Sequence, residues 1–153
     1  MVNVWYFGAA RGISRLPYTL KGFMAVVCRQ GTLLKTDLHE FSPHAVANAP
    51  EEAFELIDHV ERLERGELSD PEFPADEFMR LLQYWEGMNE ADVCCELETS
   101  RGVSRIRIQA INSTAWRIAG PAEEVDPIAL EVLKVEPRLV LFFAAEQGYD
   151  LPT

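Results

Sequence analysis

The stretch 92-DVCCELETSRGVSRIRIQAI-111 alternates apolar and polar residues on both sides of Arg101-Gly102. Side chains on a strand point to opposite faces with a period of two, and Arg101-Gly102 has the form of a two-residue turn. The stretch therefore predicts an antiparallel hairpin of 92–99 with 103–111. With those two residues at the turn, Leu97 faces Ile106, Cys95 faces Ile108 and Val93 faces Ala110 on one side. On the other, Glu98 faces Arg105 and Glu96 faces Arg107, and Cys94 is expected at the solvent beside these pairs. A slip of one residue would turn every apolar side chain outward, so the pattern constrains its own register.

Downstream, Asn112-Ser113-Thr114 turns the chain toward a short strand at 116–118. Asp126-Pro127 reads as the cap and first residue of a short helix that Pro137 ends. At 138–146 the apolar run suits a buried strand and Ala144 to Gln147 before Gly148 suits a helix end; the strand is the reading adopted. Upstream, Pro74 opens a helix with Phe78, Leu81, Leu82 and Trp85 as its buried stripe and Gly87 as its stop. Before it, Asn48 stands three residues ahead of Glu51 in a capping arrangement for a helix over 50–65. Its apolar stripe is Phe54, Ile57, Val60 and Leu63, and its polar face gathers Glu51, Glu52, Glu55, Asp58, His59, Arg62 and Arg65. Gly66 to Phe73 forms an acidic loop between the two helices. Residues 20–28 and 32–38 read as a hairpin about Gln30-Gly31, with a helix ending at Gly31 as the alternative, and 2–7 as a strand covered on both faces. The sum is a single α+β domain over 1–153: a mixed, mainly antiparallel sheet with two central helices packed on one face.

Composition agrees. A chain of 153 residues, 48% hydrophobic and 25% charged, has the make-up and size of one globular domain. Its longest apolar stretches, 23–28 and 139–145, fall short of the ~20 residues a membrane-spanning helix needs, so no membrane association is expected. The first residues lack the basic leader and apolar core of a secretory signal, and a cytoplasmic address is expected. Cys28, Cys94 and Cys95 cannot all pair within one chain, which fits reduced thiols.

The net charge of -11 is unevenly spread. Residues 1–36 carry five bases and no acid, 37–98 carry 18 acids and three bases for a balance of -15, and 99–153 sum to -1. Such a field repels nucleic acid and anionic lipid and steers a basic protein toward the surface. Keeping the protein soluble is the plainer use of the same charge.

Motifs of catalysis are sparse. The Gly8-Ala9-Ala10-Arg11-Gly12 turn follows a strand, yet it has neither a Gly-Lys-Ser/Thr ending nor three-glycine spacing. Arg11 and Arg15 beside it suit an anion or a solvated loop. Asp37, His39, Glu40 and His44 are the one cluster of metal-ligand type, because residues two apart on a strand share a face. A small metal-dependent or hydrolytic enzyme built on them is the alternative reading. No serine or cysteine stands in a nucleophile signature, and no cofactor is implied.

Small size, cytoplasmic character and an acidic centre resemble, in general type, the antitoxin-like immunity proteins of bacterial polymorphic-toxin systems. The resemblance rests on no motif and carries no residues across. It implies an acidic protein-binding domain that occludes a basic toxin or effector. Glu55, Asp58, Glu67, Asp70, Glu72 and Asp76 are its candidate contacts, and a structural or assembly subunit is a third reading.

Overall fold

The predicted hairpin is the centre of the sheet. The computed structural model describes residues 1–13 and 16–143. In chain order it contains β1 (Val2–Ala9), α1 (Leu20–Gln30), β2 (Thr32–Pro43), a 3-10 turn (Glu51–Phe54), α2 (Glu55–Glu64), β3 (Glu72–Phe73), α3 (Ala75–Leu82), β4 (Met88–Thr99), β5 (Gly102–Ile111), β6 (Ala115–Pro121), α4 (Ala122–Val135) and β7 (Leu139–Phe143). The seven strands lie in the order β3-β2-β4-β5-β6-β1-β7. Among the described residues every pairing is antiparallel, so the sheet is not mixed, and it is accompanied by four α-helices: the two central ones expected, the short one near Pro127, and α1 in place of a strand.

The hairpin forms with its register two residues from the expected one. Thr99 pairs with Gly102, so Ser100-Arg101 is the turn, and Gly102 takes a φ of 112° that favours glycine. Contacts absent from the local pattern fix this choice. The Arg101 Nε–H donates to Glu124 Oε1 at 2.8 Å, and the Arg101 N–H donates to Thr99 Oγ1 at 3.1 Å. A shift of two preserves the faces. Val93 meets Ile108 and Cys95 meets Ile106 as an apolar pair, but Leu97 meets Ser104, while Glu96 faces Arg105 and Cys94 faces Arg107. The acid-base matches change accordingly: Arg107 clasps Asp92 with bonds of 2.9 and 2.6 Å, and Arg105 Nη2 reaches Asp37 Oδ2 at 3.4 Å. Cys94 is buried, not at the solvent, because the long side chains of Arg105 and Arg107 lie beside it and cover it.

Residues 20–28 are helix α1, not a strand, which corrects the hairpin with 32–38. Thr19 caps it by accepting the Gly22 N–H at 2.9 Å, and Leu20, Phe23, Met24 and Val27 are buried at helical spacing. Burial decides against the β propensity of the valines: the Phe23 ring sits 4.6 Å from that of Trp116 and 6.0 Å from that of Phe7. The 3-10 turn and α2 bury Ala53, Leu56, His59 and Val60, so the stripe is turned relative to Phe54, Ile57, Val60 and Leu63, and His59 is inside. Asn48, at φ 63°, caps nothing; Pro50 precedes the first turn. Helix α3 buries Phe78, Leu81 and Leu82 as expected but ends at Leu82, well before Gly87. Helix α4 begins at Ala122, five residues ahead of Pro127. Asp126 is not its cap: its carboxylate accepts the Trp5 Nε1–H at 2.8 Å and the Asn3 amide at 3.0 Å, tying the helix to β1. Within 138–146, Arg138 is in a turn, strand β7 takes Leu139–Phe143, and residues 144–146 lie outside the described residues.

Phe23, Leu56, Phe78 and Ile128 from the four helices join Phe7, Leu38, Val93, Cys95, Ile106 and Trp116 in one core. By register, those strand residues share one face of the sheet. No helix among the described residues is long and apolar enough to cross a membrane.

Candidate functional site

Glu51, Glu52, Phe54, Glu55 and Asp58 surround a shallow depression where the 3-10 turn runs into α2. Its shape follows from what lies beneath. Ala53 turns inward, and its carbonyl accepts the Trp85 Nε1–H at 3.0 Å, which leaves neighbouring Phe54 to the outside at 47% exposure. The Phe54 ring stands edge-on to Trp85 at 5.3 Å, and Trp85 is edge-on to Phe41 at 6.1 Å, so an exposed aromatic has a rigid aromatic footing. Glu52 is held at the rim: Arg80 Nη1 donates to it at 2.9 Å and the Tyr84 hydroxyl at 3.2 Å. Arg80 also binds Glu77 at 2.6 Å, so α3 backs the depression.

All six predicted carboxylates are exposed, but they are not equivalent. Glu55 and Asp58 share the depression with Glu51 and Glu52. Glu67 is bound by Arg65 at 2.9 Å and approached by Arg62 at 3.6 Å, and the Arg65 hydrogen bond holds its carboxyl below the usual range. Asp70 Oδ1 accepts the Glu72 N–H at 3.0 Å, Glu72 lies 3.7 Å from Lys35 Nζ, and Asp76 sits in the first turn of α3. The loop between α2 and α3 is fastened from below. His59 Nε2 lies 3.0 Å from the Pro71 carbonyl, and its ring is edge-on to Phe73 at 5.2 Å. The apolar spacing places Phe54 in the buried stripe, whereas in the structure it is 47% exposed. The signal that finds it is Ala53, whose small side chain starts the true i, i+3, i+7 stripe with Leu56 and Val60.

The cluster Asp37, His39, Glu40 and His44 does not converge. Strand β2 bulges at His39, so Asp37 and Glu40 share a face and His39 is displaced from it. Asp37 is buried between Lys35 at 3.7 Å and Arg105 at 3.4 Å. His44 lies past Pro43 with Nε2 at 2.8 Å from Asn89 Oδ1 and 3.3 Å from Ser113 Oγ. Among the described residues no group of three His, Cys, Asp or Glu is placed to hold a metal ion. His44 instead lines a cavity of about 300 Å³ with Leu16, Tyr18, Thr19, Val46 and Glu86. Burial pushes the thiols of Cys28, Cys94 and Cys95 up, which disfavours the thiolate that nucleophilic chemistry needs.

Glu40 is a point of stored repulsion. It stands opposite Asp92, and partial burial, then Glu90, Asp92 and Glu64, raise its carboxyl above the usual value. A carboxyl raised in the folded state opposes folding once ionised, and that opposition disappears as pH falls through the raised value. Glu40→Gln is therefore expected to stabilise the protein at pH 7 by about 0.2–0.5 kcal/mol, small because the side chain is exposed to screening solvent. Urea unfolding checks this: the gain should be present at neutral pH and shrink below the carboxylate range.

No protein-family model, no curated protein and no solved structure matches the chain.

Proposed function

We propose that the chain is an acidic protein-binding domain whose contact surface centres on Phe54. The observation that carries the reading is an aromatic side chain, 47% exposed and backed by Trp85, ringed by Glu51, Glu52, Glu55 and Asp58. An aromatic anchor within a polar rim is the arrangement that concentrates binding energy at protein interfaces, and rim charge sets the association rate. A basic toxin or effector, its cleft covered by these carboxylates, is the partner class that fits. Glu55 and Asp58 make the first contacts and Asp70 and Asp76 extend the field. Glu67 and Glu72, already met by Arg65 and Lys35, add least.

The test begins with partners drawn from native lysate at low salt and eluted with rising salt, which a charge-steered complex predicts. Against a protein so obtained, Glu51→Gln/Glu55→Gln/Asp58→Asn should slow association about tenfold or more at low salt and flatten its salt dependence. Phe54→Ala should instead speed dissociation. Association unchanged in the triple variant sinks the reading. Stability should be unaltered in that variant, since exposed charges contribute little to it.

A further inference from the structure

The two edges of the sheet are built differently. At one, β3 is only two residues long, and β2 carries Lys35 and bulges at Leu34 and His39. Short strands, lysine and bulges are devices that discourage further strand addition. At the other, the described part of the chain ends in β7, Leu-Val-Leu-Phe-Phe, with no charge and no proline. That is the composition of a strand that accepts another strand.

The backbone of β7 is oriented for it. The Ala10 N–H donates to the Arg138 carbonyl at 2.7 Å, which makes those two a hydrogen-bonded pair. Alternation then makes Gly8 and Val140 the next such pair, while Leu139 and Leu141, opposite Ala9 and Phe7, turn their peptide groups away from β1. The Leu139 N–H is taken by the Glu136 carbonyl at 3.1 Å. By this alternation the Leu139 carbonyl and both peptide groups of Leu141 point away from β1, on a side where no strand among the described residues pairs, before a bulge at Phe142 ends the regular ladder. Apolar surface gathers in the same part of the chain. Among the described residues nine large apolar side chains are exposed, and Leu130 (59%), Val135 (47%), Val140 (42%) and Leu141 (38%) of α4 and β7 are four of them.

Charge selects the occupant. The segment of balance -15, residues 37–98, builds the second half of β2 from Asp37 on, all of α2, β3 and α3, and β4 as far as Glu98. In the sheet, β4 is the nearest of its strands to β7 and lies four strand spacings away, roughly 19 Å, about twice the screening length at physiological salt. Two copies of this acidic chain meeting at β7 keep their charged ends as far apart as the fold permits.

We propose that β7 pairs antiparallel with β7 of a second copy, joining two sheets into one across a twofold axis. Each copy then gives its Leu141 N–H to a carbonyl of the other and covers Val140 and Leu141. The proposal is independent of the Phe54 surface. Sedimentation velocity on the full chain, from low to several hundred micromolar, should show the average mass rising toward twice the monomer. Leu141→Pro removes the outward N–H without touching the bonds to β1, and Leu141→Lys places a charge in the seam; both should stay monomeric with unchanged far-UV circular dichroism. If the proline variant misfolds, the lysine variant decides alone. A wild type monomeric at every concentration overturns the proposal, as does a dimer that survives in a folded Leu141→Lys protein.

Discussion

Gly31→Ala is expected to cost about 3 kcal/mol or more of stability, among the largest losses any single methyl could cause in this chain. A Cβ at position 31 would stand 2.2 Å from the carbonyl oxygen of Glu98 and 3.0 Å from its carbon, both of them backbone atoms of β4. The cause is contact, not torsion: Gly31 has a φ of 176°, extended backbone that any residue adopts. At this point α1 ends and β2 begins, opposite Glu98 in the β2–β4 ladder, so relief requires β2 to move away from β4. Urea unfolding followed by circular dichroism measures the loss. A cost below about 1 kcal/mol would mean that the two strands separate there at little expense.

Trp85→Ala should cost about 3–5 kcal/mol, the range for truncating a large buried aromatic. Trp85 is 3% exposed, supports Phe41 and Phe54, and donates its indole N–H to Ala53. Its loss leaves a cavity and an orphaned carbonyl under the 3-10 turn, so the effect has a functional side. Amide exchange through 51–56 should quicken, and affinity for a partner of the proposed basic class should fall even though no proposed contact residue has changed. Trp85→Phe keeps most of the packing and removes only the donor. It is expected to cost about 1–2 kcal/mol with a smaller rise in exchange. Equal exchange rates in wild type and Trp85→Ala would show that the Phe54 surface is held by something other than Trp85.

The contrast between these losses and the near-silent charge variants separates scaffold from surface. Arg80, Tyr84 and Trp85 all come from α3 or the residues just after it, and all three act on the turn at 51–54. The acidic surface is thus held by a neighbouring segment that has few acids of its own facing the depression.

Local sequence determined whatever depends on periodicity and composition. The alternation in 92–111 named the central hairpin and its two faces, the stripe of Phe78, Leu81 and Leu82 named α3, and the charge count located the acidic segment. Sequence also placed Glu55 and Asp58 at the surface, since a carboxylate on the outer side of an amphipathic helix needs no tertiary partner to stay exposed. Only the tertiary structure decided the rest. The hairpin register turned on Arg101 reaching Glu124, 23 residues away along the chain. Helix α1 turned on Phe23 finding Phe7 and Trp116, a burial that outweighs the propensity of a valine-rich run. The single extra residue at His39 redirected every side chain after it and dissolved the expected metal cluster. Phe54 came to the surface because a small alanine, favoured by the Trp85 hydrogen bond, took the inward place. Each of these outcomes rests on a contact between residues far apart in sequence, and a local pattern of periods two and 3.6 holds no information about such contacts.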